Sequence, residues 1–290
     1  MKEIIPGIFV ERQYPPYNVG LIRLEETLLA VDIPPRPADA HAWRAAIEQQ
    51  HGPIRYAILT DGQPERLVAA TFWPDIPLIA HRDVPRYITK LEEREWQELV
   101  QEVAAQHPEV EAHYFELAPH RVTLAFEERF TYQRHEPHLE FQAVDGIAPG
   151  ALWIYLAKFN LIFAGDTVVL EEPQPLEHTP DSHALLNTLS TLANRNTIQQ
   201  VVPGRGPELI DKAEIEPLRE FVRVMRRTAR SLARGQVTGA DFTHAAQDIA
   251  QTFFPHTKRS DHPMQKIRRG LHQLVAELQN PEEEEADEAE

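Results

Sequence analysis

The feature that most limits the folds open to this chain is the order in which its two hydrophobic periodicities occur. Short apolar runs separated by turn residues come first: Ile4-Ile5, then Pro6-Gly7, then Ile8 to Val10, later Val19 to Ile22 and Leu28 to Val31. That pattern predicts a meander of strands. Residues 38–50 then read as a helix, Tyr56 to Thr60 as a buried strand, Leu78 to Ala80 as a short strand, and 85–106 as one helix with Ile88, Leu91, Leu99 and Val103 on its apolar face. Strands are expected again near 121–126, 129–134, 138–144, 151–156 and 161–164, with a helix near 181–194 and a strand from Gln199 to Val202. Strands, helix, strands, helix, strand and finally helices is an order that suits two mixed layers better than a doubly wound parallel sheet. No repeat of solenoid period is present.

Composition narrows the chemistry. A chain of 290 residues makes one large domain or two small ones. It has no cysteine, which excludes disulfide scaffolds, thiolate zinc sites, iron–sulfur clusters and cysteine nucleophiles, and leaves His, Asp and Glu as the strong metal ligands. The opening MKEIIPGIFVERQY has no long apolar run and no small-residue cleavage site, so a cytoplasmic location is expected. No window is apolar for long enough to span a membrane.

The net charge of −16 is unevenly placed. Residues 1–211 carry 17 basic and 31 acidic side chains, residues 212–270 carry 12 and 6, and residues 271–290 are net −8. The expected organisation is therefore an α/β domain over 1–211, a helical extension over 212–280 and a disordered acidic tail over 281–290, PEEEEADEAE. The helix expected over 213–234 places Leu218, Phe221, Val222, Met225, Ala229 and Leu232 on one face and Arg219, Arg223, Arg226, Arg230 and Arg234 on the other. The last helix, 263–279, begins at Pro263 and carries Met264, Ile267, Leu271, Leu274 and Leu278 on one face. These apolar faces are expected to close over the strands or to form a homodimer seam. The arginine face reads as solvated or as a docking face for the acidic tail; without an aromatic platform, and on an acidic body, a nucleic-acid partner is disfavoured.

From about residue 4 to residue 209 the chain resembles the metallo-β-lactamase fold superfamily. The resemblance rests on five segments in family order: IIPGIFV, the NVGLIRLEETLLAVDIPP meander with Asp32, the strand ending in Thr60, PGALWIYLAKFNLIFAGDTVV, and the VVPGRGP loop. It implies a four-layer αβ/βα sandwich with two metal ions, usually zinc or iron, at one edge, and a bridging hydroxide that attacks the substrate. The first ligand motif of the family reads Thr-His-x-His-x-Asp-His, and here the stretch is Thr60-Asp61-Gly62-Gln63-Pro64-Glu65-Arg66. The three histidine positions thus hold Asp61, Gln63 and Arg66, and the aspartate position holds Glu65. Ile147 replaces the next histidine in Gly146-Ile147-Ala148-Pro149-Gly150, and Arg205 replaces the last in the glycine loop. Only Asp166, the carboxylate that bridges both metals in the family, is kept.

A set with no imidazole, one glutamine and an isoleucine is a poor zinc site, and two guanidinium groups oppose a divalent ion by repulsion. No cofactor is therefore expected. The first reading of the pocket is an internal network in which Arg66 and Arg205 pair with Asp61, Glu65 and Asp166. A second has the two arginines facing a cleft and binding an anion such as a phosphate or carboxylate. A third has Asp61, Glu65 and Asp166 holding magnesium (Mg), manganese (Mn) or calcium through oxygen, and the alternative cofactors are Mn/Mg or Zn. The close histidine pairs, His135 with His138 and His178 with His183, lack the spacing of a helix-borne metal pair and read as solvated. The function expected is that of a pseudoenzyme binding a protein partner or an anionic small molecule; the alternatives are a divergent metal-dependent hydrolase of esters, thioesters, lactones or phosphodiesters, and a nucleic-acid-binding protein.

Overall fold

The computed structural model describes residues 1–25, 27–108, 114, 117–133, 136–235, 238–255 and 261–279, with the backbone alone for 261 and 262. The acidic tail and His135 lie outside the described residues. Among the described residues thirteen strands fall into two mixed sheets. The first holds β1 (Lys2–Ile5), β2 (Ile8–Glu11), β3 (Val19–Leu24), β4 (Thr27–Val31), β5 (Ile54–Ile58), β6 (Leu78–His81) and β7 (Val122–Phe126) in that order. It is antiparallel as far as β4 and parallel from β4 to β7. The second holds β8 (Arg129–Tyr132), β9 (Leu139–Ala143), β10 (Leu152–Leu156), β11 (Leu161–Val169), β12 (Gln200–Arg205) and β13 (Ile210–Asp211), in which only β11 and β12 run parallel.

Period-two alternation decides which side chains meet between the sheets. Ile8, Val10, Ile22, Leu29, Val31 and Ile58 of the first sheet pack against Phe141, Leu152, Ile154, Leu161 and Phe163 of the second. Their neighbours Phe9, Leu21, Leu28, Ala30 and Ala57 turn outward onto α1 (Pro37–His51), α2 (Pro64–Ala70) and α4 (Glu93–Ala105). On the far side Trp153, Tyr155, Ile162 and Val201 pack against α5 (Ser182–Asn194), α6 (Glu216–Ala233), α7 (Gly239–Phe253) and α8 (Asp261–Leu278). The layers are helices, sheet, sheet, helices, which is the expected αβ/βα sandwich. No described helix is long and apolar enough to cross a membrane.

Two expectations are corrected. The single helix over 85–106 is two, α3 (Asp83–Lys90) and α4, because Leu91 is extended and Glu92 starts a fresh helix through a reciprocal capping box with Glu95. The arginine face of α6 is not uniform either. Arg226 is buried against Ser182 and Glu277, while Arg219 and Arg223 pair with Glu216. A guanidinium stem can cover apolar surface from the edge of a stripe, so periodicity alone places Arg226 on the wrong side.

The helices α5 to α8 share one apolar cluster with the second sheet. Replacing the fully buried Leu271 with alanine is expected to cost about 2–5 kcal/mol. In urea this should appear as a single transition moved to lower denaturant; two separated transitions would show that the helical layer folds on its own.

Candidate functional site: an arginine-filled pocket

The site forms where the two sheets are tied together at one end. β4 ends at Val31, and the N–H of the next residue, Asp32, donates to the carbonyl of Ile58 at the end of β5. The carbonyl of Thr60 in turn accepts from the N–H of Leu152 in the second sheet, at 2.8 Å. Beyond Thr60 the chain turns sharply, with the Asp61 carboxylate accepting the Gln63 N–H at 2.9 Å, and Pro64 opens α2 at a position where its missing N–H is harmless. One turn into that short helix Arg66 points inward. From the second sheet β11 supplies Asp166 and β12 supplies Arg205, on adjacent parallel strands.

Glycines make the approach feasible. Gly165 has φ of +54°, a conformation that other residues adopt only under strain, and a Cβ at Gly204 would lie 2.3 Å from Asp166 Oδ1.

Asp166 is the hub. Arg66 grips it with two nitrogens, Nη2 at 3.0 Å from Oδ1 and Nη1 at 3.2 Å from Oδ2. Arg205 adds Nη2 at 2.9 Å and Nε at 3.1 Å, both on Oδ2, and Gln63 Nε2 adds another donor at 3.1 Å. The remaining edges of Arg66 face Asp32, with Nε 3.1 Å from Oδ2, and Asp61, with Nη1 3.1 Å from Oδ2. Its guanidinium carbon also lies 4.5 Å from the centre of the Tyr17 ring. Arg205 reaches outward from Asp166 to Glu65 at 3.1 Å and Glu172 at 3.5 Å.

Arg66 is 0% exposed and Arg205 4%, so neither guanidinium offers a free face to solvent. The second reading, in which Arg66 and Arg205 face a cleft, is thus not the arrangement formed: both guanidinium groups are buried and ion-paired within the chain. Asp61, Gln63, Glu65, Arg66, Asp166 and Arg205 do come together, whereas Ile147 is fully buried in the apolar cluster under α5. Asp32, Tyr17 and Glu172 complete the site; Asp32 belongs to the meander that carries the resemblance but is given no role there, and Tyr17 and Glu172 lie in no motif. Of the histidine candidates, His138 is half exposed beside Glu136, and His178 and His183 lie partly exposed on the loop and first turn leading into α5.

The residues present do not fit the two metals of the family. The carboxylate oxygens that would ligate them already receive guanidinium or amide N–H groups at 2.9–3.3 Å. Gln63 turns its donor nitrogen, not its oxygen, toward Asp61 and Asp166. Among the described residues no group of three or more His, Asp or Glu side chains is arranged to hold a metal ion.

Charge in the pocket is unequally shared. Burial pushes Asp166 upward, but Arg205 and Arg66 together outweigh it and hold the carboxyl well below the usual range. Asp61 goes the other way: burial, aided by the charges of Asp166 and Asp32, outweighs Arg66 and pushes it up to about 7. A carboxyl that binds its proton more tightly folded than unfolded stabilises the protein at low pH, and this contribution fades as pH rises through the folded value. Relative to Asp61→Asn, the wild type is therefore expected to gain about 2–3 kcal/mol in urea-unfolding free energy between pH 7.5 and pH 5. Equal pH dependence in the two proteins would show that Asp61 is already ionised throughout. Arg66→Met leaves three buried carboxylates short of a cation and is expected to cost about 3–5 kcal/mol at pH 7.5.

No family model matches the chain, and no curated protein matches it by sequence. Solved structures do. A metallo-β-lactamase family protein of Thermus thermophilus superposes with a TM-score of 0.68 at 17% identity, over 98% of this chain and 96% of that one. A β-lactamase domain protein of Burkholderia ambifaria gives 0.66 at 14% identity, over 95% and 89%. The stereoselective inverting sec-alkylsulfatase of a Pseudomonas species gives 0.64 at 12% identity, over 94% of this chain and 49% of the enzyme. At such identities the likeness is one of architecture, and it agrees with the order and layering of the strands: this chain is a protein of the metallo-β-lactamase fold.

Proposed function

We propose that the chain is a non-hydrolytic protein of this fold, in which two guanidinium groups stand where the family holds two metal ions, and that it works by binding a protein partner. The observation that carries this reading is the occupation of both oxygens of Asp166 by Arg66 and of one of them by Arg205 as well. A hydrolase using Asp61, Glu65 and Asp166 as oxygen ligands for Mn or Mg would first have to expel both arginines, each bound to several carboxylates. An anionic small molecule would find no uncommitted guanidinium in the pocket.

A nucleic-acid partner draws little support from α6, where Arg226 is buried and Arg219, Arg223 and Arg227 pair with Glu216 or Glu220. The acidic body over residues 1–211 favours a partner with a basic face.

The test is elemental analysis of tag-free protein purified without chelator, beside an Asp166→Ala control. It is paired with a hydrolysis panel of β-lactam, ester, thioester, lactone, phosphodiester and alkyl sulfate substrates in the presence of Zn, Mn or Mg. Neither stoichiometric metal nor turnover is expected in either protein. Near-stoichiometric metal that is lost in the control, or metal-dependent turnover abolished by it, would overturn the reading.

A further inference from the structure

Helix α8 is fastened at both ends to the segment between β11 and α5 that frames the pocket. Near its start Lys266, 7% exposed, places Nζ 2.9 Å from one oxygen of Glu172, whose other oxygen faces Arg205 Nη1 at 3.5 Å. Toward its end Gln273 Nε2 donates to the carbonyl of Thr179 at 3.0 Å. Glu277 accepts from the N–H and the hydroxyl of Ser182, at 2.9 and 2.6 Å. Between these points Gly270 lies so close to the segment that a Cβ there would meet Leu176 Cβ at 3.1 Å.

A lysine ammonium on the packed side of a helix loses hydration, and it is retained there only where a carboxylate compensates. Glu172 is that carboxylate. It is also the outermost member of the buried network, so an unbroken line of charges runs Asp166, Arg205, Glu172, Lys266 from the centre of the sandwich to α8. Counted as a whole, Asp32, Asp61, Glu65, Asp166 and Glu172 face Arg66, Arg205 and Lys266. The two arginines come from the sheets and α2, and the third cation comes only with the C-terminal helix.

We propose that Lys266 is an integral cation of this centre, and that through it the docking of α8 and the seating of Arg205 on Asp166 form one coupled equilibrium, with α8 acting as a latch over the rim of the pocket. A cationic group of a partner that took Glu172 from Lys266 would release the helix; a latch of this kind gives surface contact a route to the interior. The proposal stands whether or not the chain turns over a substrate.

Hydrogen exchange followed by mass spectrometry on the full chain tests it, comparing wild type with Arg205→Lys, Glu172→Gln and Arg269→Gln. Among the described residues Arg205 makes its ion pairs with Asp166, Glu65 and Glu172 and none with α8. Arg205→Lys is nevertheless expected to raise exchange at residues 264–270 by about threefold or more, and Glu172→Gln to raise it both there and at 203–207. Arg269, on the same helix as Lys266, pairs with Glu177 of the β11–α5 segment; Arg269→Gln breaks that pair and should leave 203–207 unchanged. Wild-type protection of α8 in a folded Arg205→Lys protein would overturn the coupling, as would loosening of 203–207 by Arg269→Gln equal to that by Glu172→Gln. If Arg205→Lys does not fold, Lys266→Met read at 203–207 applies the same criterion from the other end, and unchanged exchange there would overturn it.

Discussion

The carboxylate of Asp166 lies on a strand whose nine residues are all buried, where an uncompensated charge costs several kcal/mol. Almost everything distinctive about the molecule can be traced to how that charge is met. In the family it resembles, two divalent ions do so. Here two guanidinium groups converge from helix α2 and strand β12, one of them spanning both carboxylate oxygens, and the geometry suits them because a planar fork matches the plane of a carboxylate. The buried charge of Asp166 is thus met here by covalently attached cations.

The exchange is not charge-neutral. Two arginines supply less positive charge than two divalent ions, while the site holds four acidic side chains around Arg66 and Arg205 and a fifth at the rim. The shortfall is reduced in two places: by the proton that Asp61 holds more tightly, up to about pH 7, and by the ammonium of Lys266 brought in by α8. One is a local response to burial and crowding, the other an architectural one. Both follow from a single arithmetic deficit.

Much of this is legible in the sequence, and the reason is that it depends on local pattern. The order of strand and helix blocks set out the two mixed sheets, and the motif positions pointed to Asp61, Gln63, Glu65, Arg66, Asp166 and Arg205, which the fold does gather. What escaped depends on contacts distant along the chain. Glu172 and Lys266 are 94 residues apart and neither lies in a motif. Arg226 looks solvated by helical spacing, but contacts distant in sequence, Ser182 and Glu277, accompany its burial. The break after Lys90 was hidden because leucine at 91 suits a helix, while the decisive signal, Glu92 with Glu95, is a weak form of a capping box usually written with serine or threonine.

The sharing of Asp166 Oδ2 between Arg66 and Arg205 also bears on how such a chain can change over generations. Replacing Arg66 or Arg205 by a neutral side chain takes one of the two cations from a buried carboxylate, so either change alone is expected to give a less stable protein. Because both arginines hold the same oxygen, replacing either leaves the other to carry the charge of Asp166, and the two positions constrain one another's substitution.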